Sequence, residues 1–339
     1  MRIRVAALAL LTALIAQPAF AGPSPTLEKI RKLGYLRCGV SEGLQGFSAP
    51  DAKGNWTGLD VDFCRAIAAA IFNDPQKVRF TPASAKVRFT ALQSGEFDVL
   101  SRNTTFTMSR DVQLGLEFVG TTYYDGQGFM VPKKLNVKSA KQLNGANICT
   151  NTGTTTELNL ADYFRANNMK YTVIAFEKEA EVVAAYDSGR CDAITTDQSG
   201  LYAERLQLKN AADHIILPEI ISKEPLGPAV NQTDPQWADV VRWTLFALLN
   251  AEELGVNSKN VDQMLKSPNP EIRRLLGVEG AFGQSMGLTN DWAVRIIKSV
   301  GNYGEIFERN VGQASALKIL RGQNALWNKG GLQYAPPVR

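Results

Sequence analysis

A short polar segment ends in an arginine that is well placed to bind an anion. Ser101–Arg110 is rich in hydroxyl and amide side chains, and Thr107 is a suitable N-cap for a helix that would hold Arg110 in its first turn. A cation there opposes the helix dipole, so it needs a negative partner elsewhere. A guanidinium group binds a carboxylate in bidentate geometry. The partner is either a ligand carboxylate or a protein carboxylate such as that of Asp111 or Glu117.

An aspartate in the second half of the chain is a candidate receptor for an ammonium group. Asp197 comes directly after Ala193–Thr196, which is predicted to be a buried strand. In open α/β sheets the ligand crevice lies beyond the carboxyl ends of the strands. The alternative is that Asp197 caps the predicted helix Gly200–Leu206.

A third polar turn, Asn151–Thr156, joins a predicted strand to a predicted helix. Its exposed N–H groups and the helix dipole favour an anion. It lacks the spacing of a Walker A loop or a Rossmann glycine motif, and the alternative is an ordinary capped helix. Together with Arg110 and Asp197, this turn provides two receptors for negative groups and one for an ammonium group. The zwitterion of an α-amino acid requires such a combination.

Other chemistries are disfavoured by the composition. His214 is the only histidine, which argues against structural zinc and against Ser-His-Asp or Cys-His catalysis. We therefore predict no metal, no cofactor and no enzymatic activity. The 37 basic and 33 acidic residues give a net charge of +4, and the basic residues are scattered, so we predict no nucleic-acid partner.

The first 21 residues are typical of a secretion signal. Arg2 and Arg4 form a basic start, Val5–Ala16 is almost wholly apolar, and Ala19–Ala21 matches the small-x-small cleavage pattern. The apolar run is too short to span a bilayer, which needs about 20 residues. Cleavage leaves residues 22–339, lowers the net charge from +4 to +2 and predicts a periplasmic protein. The alternative is a buried N-terminal helix.

Strand and helix patterns alternate along the chain, which is typical of α/β proteins. The first unit is predicted to contain strands Leu36–Val40, Val78–Thr81 and Phe97–Leu100 and helices Asp60–Phe72 and Ser84–Gln93. The second is predicted to contain strands Ala146–Thr150, Tyr171–Phe176 and Asp192–Thr196 and helices Thr154–Asn167 and Glu179–Asp187.

The two units share a local pattern. Gln93–Val99 and Asp187–Ala193 each run from a helix end through Ser-Gly-x-x-Asp into a strand, and Gly95 and Gly189 suit the left-handed position that ends a helix. We therefore predict two similar α/β lobes that face each other across one cleft.

The lobes are predicted to be joined by a two-segment hinge. Residues 22–130 form the first part of lobe 1, 131–225 form lobe 2, and 226–339 complete lobe 1 and add a C-terminal helical extension. The crossings are placed at Gln127–Pro132 and Glu219–Val230. The returning chain is predicted to form helices at Pro235–Glu252 and Asp291–Arg309.

Four cysteines in an exported chain favour disulfides, with three pairings open. We favour Cys38–Cys64 and Cys149–Cys191, because bridges within each lobe leave the hinge free, whereas bridges between lobes would lock it. The alternative is four buried free thiols.

Over essentially the whole mature chain, the sequence resembles the amino-acid-binding proteins of ABC transporters. These are type 2 periplasmic solute-binding proteins, and the likeness is greatest to their general L-amino-acid-binding branch. The motifs that carry the resemblance are Cys38–Val40, Gly58–Asp62, Ser101–Arg110, Asn151–Glu157, Gly189–Asp197 and Gly330–Pro337. The resemblance implies the periplasmic binding protein-like II fold, with two lobes that close around the ligand.

The resemblance also implies roles for individual residues. Arg110 matches the arginine that binds the α-carboxylate, with the Thr105 hydroxyl beside it. Thr155 matches a carboxylate-binding position at the start of a lobe 2 helix. Asn103 and Asp197 match positions that meet the ammonium group.

Two further arginines bear on side-chain selectivity. In members that prefer glutamate and aspartate, an arginine at the position of Arg88 reaches the side-chain carboxylate. Arg102 is a second candidate, and each could instead lie on a solvated face.

The expected function is capture of free L-amino acids over a broad range, with glutamate and aspartate as the candidate preferred ligands, by a monomer that delivers them to a membrane permease. A cyclohexadienyl or arogenate dehydratase on the same fold and a ligand sensor are the alternatives.

Overall fold

The computed structural model describes residues 24–339, and the predicted secretion signal lies outside this range. Two five-stranded sheets form the framework. In spatial order, the strands of the first sheet are Val78–Pro82, Leu36–Val40, Val99–Leu100, Ala229–Asn231 and Leu116–Phe118. Those of the second are Tyr171–Phe176, Ala146–Asn151, Ala193–Asp197, Gln127–Pro132 and His214–Ile216.

The two sheets have the same pattern of strand directions. In each, the first three strands in spatial order are parallel and the fourth runs antiparallel to the third. Each parallel part consists of the three strands of one predicted unit. The repeated glycines Gly95 and Gly189 have φ values of 74° and 78°, as the pattern predicts. The α/β class with two similar lobes is confirmed.

Helices cover both sheets. They are Pro25–Leu33, Leu59–Phe72, Arg88–Gln93, Thr155–Ala166, Glu179–Asp187, Gln198–Arg205, Pro235–Glu253, Val261–Met264, Pro270–Leu275, Phe282–Ser285, Trp292–Val300 and Tyr303–Asn310. A π-helical turn spans Ser109–Gln113. Short 3₁₀ turns span Lys133–Leu135, Ala140–Gln142, Ala211–Asp213, Gly322–Asn324 and Trp327–Lys329.

Two predicted helices were wrong in extent. The first begins at Arg88 rather than Ser84, and the Ser84 hydroxyl contacts Glu177 instead of capping a helix. The predicted helix Asp291–Arg309 is two helices, because Gly301 has a φ of 81° and Asn302 starts a new helix with a capping box.

The lobes are joined by a two-stranded ladder in which Tyr123–Asp125 pairs with Glu224–Leu226. The outward crossing therefore lies just before Gln127–Pro132, and that segment is a strand of the second sheet. The return crossing falls within the predicted range. The chain between the crossings builds the second lobe, and the chain after them returns to the first. The lobe boundaries given above remain predictions.

Both disulfides join residues within one lobe. Cys38 bonds to Cys64 and Cys149 to Cys191, as the favoured pairing predicts. Each bridge ties a central strand to a neighbouring element of its own lobe.

The C-terminal extension packs on the first lobe. Trp292–Val300 and Tyr303–Asn310 lie against Leu59–Phe72 and Pro235–Glu253, and their apolar faces belong to the same buried core. No helix within residues 24–339 is long and apolar enough to cross a membrane.

Candidate ligand-binding site

The two lobes touch across a closed cleft. The hydroxyl oxygens of Thr105 in the first lobe and Thr155 in the second are 3.3 Å apart. The Ser84 hydroxyl and the Lys86 ammonium group each lie 3.4 Å from a carboxylate oxygen of Glu177. Polar groups from both lobes therefore meet at one place.

The closed cleft contains a cavity of about 30 Å³, which is room for about two water molecules. Six of the seven ligand-binding residues predicted from the sequence are among those that line it: Arg88, Arg102, Asn103, Thr105, Thr155 and Asp197. The seventh, Arg110, lies beside Thr105, and its Nη1 donates to the Thr105 carbonyl oxygen at 2.9 Å. The structure brings the predicted set together, and its role in binding remains a prediction.

Three buried arginines, two lining this cavity and one beside it, have no carboxylate partner among the described residues. Arg88 is 3% exposed, and Arg102 and Arg110 are each 7% exposed. Among residues 24–339, no carboxylate oxygen lies within 4.0 Å of a nitrogen of any of the three. The protein partner considered for Arg110, Glu117, pairs with Arg242 instead. Their charges are therefore available to a ligand.

The arginines contact neutral groups only. Arg88 donates to the Thr104 hydroxyl at 3.3 Å, and its Nε has no hydrogen-bond partner among the described residues. Arg102 Nε donates to the Ala83 carbonyl oxygen at 2.9 Å. The guanidinium groups of Arg88 and Arg110 lie 4.8 and 5.0 Å from the centre of the Phe89 ring, which attracts cations without neutralising them.

Burial makes these charges unfavourable until an anion arrives. The pKa of Arg110 is lowered to about 10, mainly by burial and also by the neighbouring Arg102, against the influence of Glu224 and Asp197. Burial likewise lowers the pKa of Arg88, and the charges of Arg102 and Arg110 act in the same direction. An anionic ligand would relieve both the desolvation and the mutual repulsion.

Asp197 faces the arginines from the second lobe. It is the residue before the helix Gln198–Arg205, but its side chain caps nothing, and no described residue donates a hydrogen bond to its buried carboxylate. Burial raises the pKa of Asp197, and the nearby carboxylates of Asp125 and Glu224 raise it further. An ammonium group would offset both effects.

The polar segment of the first lobe is held by an aspartate that the sequence patterns did not single out as a site residue. The buried carboxylate of Asp60 accepts hydrogen bonds from the Asn103 backbone N–H at 2.9 Å and the Ser101 hydroxyl at 3.2 Å. Burial raises its pKa to about 6. An acidic residue in the first turn of a largely apolar helix was the available signal.

The second-lobe turn Asn151–Thr156 contains one of the two hydrogen bonds of the predicted helix cap. Thr154 caps the helix Thr155–Ala166 by accepting the Glu157 N–H at 3.2 Å. The reciprocal contact differs, because the Glu157 carboxylate accepts the Gly153 N–H rather than that of Thr154. In the first lobe, Arg110 lies in a π-helical turn and donates its N–H to the Thr107 hydroxyl at 3.3 Å.

Two glutamates at the cleft were missed in the sequence. Glu179 lines the inner cavity and also an outer cavity of about 350 Å³ at the cleft mouth. Glu224 lies on the connecting strand behind Thr105 and Thr155. No local motif marks either residue, because only the closed arrangement of the lobes brings them to the site.

Residues 36–260 match the model of a family described as bacterial extracellular solute-binding proteins, family 3. The chain belongs to this family. The resemblance predicted from the sequence motifs is thereby confirmed, and with it the type 2 periplasmic binding protein fold.

Relatives of this family-3 chain include well-matched binding proteins. It is 65% identical over 329 residues to the general L-amino acid-binding periplasmic protein AapJ of Rhizobium johnstonii, covering 96% of both chains. It is 54% identical over 328 residues to the glutamate/glutamine/aspartate/asparagine-binding protein BztA of Rhodobacter capsulatus, covering 96% of this chain and 97% of that one. A solved structure of an ABC transporter periplasmic binding protein from Brucella ovis with glutathione bound is 64% identical, has a TM-score of 0.91 and covers 93% of this chain and 99% of that one.

Proposed function

We propose that this protein captures free L-amino acids in the periplasm by closure of its two lobes and delivers them to the membrane permease of an ABC transporter. One observation carries the proposal: three buried arginines without carboxylate partners face the buried Asp197, whose carboxylate receives no hydrogen bond. An α-amino acid brings a carboxylate to the arginines and an ammonium group to the aspartate, and so satisfies both sides.

Closure follows from the placement of these groups on different lobes. Arg110 and Thr105 belong to the first lobe, and Thr155 and Asp197 to the second. A ligand that contacts both sets binds the closed form better than the open form, so it shifts the population towards closure. Since the closed cavity is only about 30 Å³, the ligand enters when the lobes are apart.

Arg88 and Arg102 extend the proposal to side-chain selectivity. Arg110 would suffice for one carboxylate, and two more unpaired guanidinium groups provide for a second. We therefore assign to this pair the side-chain carboxylate of glutamate or aspartate. Support comes from the relative BztA, which is described as a glutamate/glutamine/aspartate/asparagine-binding protein.

The periplasmic location rests on the predicted secretion signal, on the two disulfides and on the periplasmic relatives. We propose that the protein acts there as a monomer. Size-exclusion chromatography with light scattering checks that state.

A thermal-shift screen over the natural amino acids tests the function. A ligand at a hundredfold excess over its Kd stabilises the folded protein by about 2.7 kcal/mol. We expect a shift with several amino acids and the largest with glutamate or aspartate. No shift with any amino acid would contradict the proposal, and so would turnover of prephenate or arogenate, since it would favour the dehydratase alternative.

A second candidate ligand class is the γ-glutamyl peptides. The Brucella ovis relative was solved with glutathione bound, and in this chain Glu179 borders both the inner cavity and the outer one of about 350 Å³. An amino-acid head in the inner cavity could continue into the outer one, where Lys178 offers a cation to a terminal carboxylate. Calorimetry with glutathione and with free glutamate separates the two classes. Binding of glutamate alone would exclude the peptide.

A further inference from the structure

Glu224 has a buried carboxylate whose hydrogen-bond acceptor positions are all occupied. It is 1% exposed and lies on the connecting strand Glu224–Leu226. One carboxylate oxygen accepts from the hydroxyls of Thr105 at 2.6 Å and Thr155 at 2.9 Å. The other accepts from the Asn159 amide at 2.7 Å and the Ser222 hydroxyl at 2.6 Å. Four donors fill the four acceptor positions of a carboxylate.

The contacts of Glu224 are fixed by the backbone around them. Thr105 forms a β-bridge with Leu226, and the Phe106 N–H donates to the Pro225 carbonyl oxygen at 2.8 Å. The first-lobe segment is therefore held against the same connecting strand that carries Glu224. Thr155 joins from the second lobe, so this carboxylate binds both lobes and the connection between them.

The donor count decides which way the two threonine hydroxyls point. A hydroxyl has one proton and two lone pairs. Thr105 and Thr155 lie 2.6 and 2.9 Å from a Glu224 oxygen, which can only accept, but 3.3 Å from each other. We therefore assign both protons to Glu224, so each hydroxyl presents only lone pairs to the cavity that it lines. Such an oxygen can accept a hydrogen bond from a ligand, but it cannot donate one to a ligand carboxylate.

We infer that Glu224 is a positioning residue that makes the Thr105 and Thr155 hydroxyls acceptors for the ligand ammonium group, so that recognition favours a ligand with a protonated amine. The inference rests on the proposed function, and it reverses the part expected of these hydroxyls from the sequence. The ligand carboxylate is then left to the arginines and to backbone N–H groups.

Two further carboxylates lie near Glu224, where the ligand ammonium group is proposed to bind. Asp125 pairs with Glu224 in the connecting ladder, and Asp197 lines the cavity nearby. Asp125 and Glu224 both raise the pKa of Asp197, so the three carboxylates lie close together. Glu224 and Asp197 also raise the pKa of Arg110, so this arginine borders the same carboxylates.

Binding of L-glutamate and of glutarate, which has both carboxylates but no amine, tests the inference by calorimetry and competition. In Glu224→Gln the side-chain amide can donate to the threonine oxygens and release their protons towards the cavity. We expect glutamate to lose at least about tenfold in affinity while glutarate loses less than about threefold or gains. Ser222→Ala removes one donor to Glu224 without touching the threonines, and we expect it to preserve the ratio of the two affinities.

Thr155→Val provides the second variant in case Glu224→Gln does not fold. It removes the hydroxyl without a large change in shape. If this hydroxyl accepts from the amine, only glutamate weakens; if it donates to a carboxylate, both ligands weaken alike.

Equal losses for glutamate and glutarate, a loss of glutamate affinity below about threefold, or no detectable glutarate binding by Glu224→Gln would each overturn the role of Glu224. Failure of the wild-type protein to bind any amino acid would instead overturn the proposed function.

Discussion

Asp98 and Asp192 have the same structural task in the two lobes. Asp98 accepts the backbone N–H of Arg37 at 3.0 Å, and Asp192 accepts that of Asn147 at 2.8 Å. In each lobe this donor is the second residue of the strand beside it in the sheet. The aspartate of the repeated Ser-Gly-x-x-Asp pattern thus joins the two parallel strands that end at the cleft.

The two aspartates differ in how much they stabilise the fold. Asp98 is buried and also forms an ion pair with the Arg37 guanidinium, whereas Asp192 makes no ion pair within residues 24–339. We expect Asp98→Asn to lower the free energy of unfolding by about 2–3 kcal/mol and Asp192→Asn by about 1 kcal/mol. Urea denaturation of both variants checks this, and equal losses would contradict it.

Removal of the arginine beside the cavity should weaken binding rather than folding. Arg110→Ala removes a guanidinium group that has no protein carboxylate partner, so we expect amino-acid affinity to fall by about 2 kcal/mol, roughly 30-fold. Calorimetry with glutamate measures the loss. Arg242→Ala is the control, since it breaks the ion pairs with Glu117 and Asp239 outside the cavity, and its affinity should equal that of the wild type. Unchanged affinity in Arg110→Ala would remove Arg110 from the site.

Closure should be sensitive to a methyl group at Gly153. A Cβ there would lie 3.2 Å from the Lys86 Cα in the opposite lobe. We expect Gly153→Ala to lower ligand affinity about tenfold, because the closed form becomes strained. Small-angle scattering in saturating ligand would show a smaller closed fraction.

Gly189→Ala is the matched control for this test. Gly153 and Gly189 have φ values of 73° and 78°, but a Cβ at Gly189 would meet nothing within 4 Å. Both substitutions should therefore lower the free energy of unfolding by about 1 kcal/mol, and only Gly153→Ala should affect binding. Equal affinities for the two variants would argue against a close lobe contact at Gly153.

Stability should depend on pH through Asp60. Burial raises its pKa from 3.8 to about 6 in the folded protein, so the folded state binds the proton more tightly than the unfolded state. The contribution of Asp60 to stability is therefore fully present below pH 4 and is lost as the pH rises through 6.

Asp60→Asn removes this dependence and keeps an acceptor for the Asn103 N–H. We expect the free energy of unfolding of the variant, relative to wild type, to rise between pH 4 and pH 7 by up to about 3 kcal/mol. Urea titrations at several pH values measure the difference. A difference that stays constant with pH would show that Asp60 titrates normally.

The strands and helices were predicted well because hydrophobic periodicity and helix-ending glycines are local features of the sequence. Tyr171–Phe176 and Glu179–Asp187 have the predicted bounds, and the glycines at 95 and 189 end helices as expected. The errors occurred where a local sequence pattern was overridden by a contact elsewhere in the fold or by a break in the backbone. Ser84 looked like a cap but instead makes a contact between lobes, and an apolar helix pattern ran through Gly301 without showing the break.

The site was predictable to the extent that its residues lie at strand ends. Arg110 and Asp197 could be placed at one cleft because both follow predicted strands of matching lobes. Glu224 could not, since its partners Thr105 and Thr155 lie 119 and 69 residues away along the chain. The direction of a hydroxyl proton is likewise set only by such distant neighbours.

The paired connecting strands give the second lobe the form of an insertion. Its chain leaves after Asp125 and returns at Glu224, two residues that are direct partners in the ladder, and its disulfide is wholly internal. The intervening segment is thus a cassette whose two ends are adjacent. It could be exchanged as one piece between family members to make chimaeric receptors, with the arginines of one parent facing the acidic residues of another.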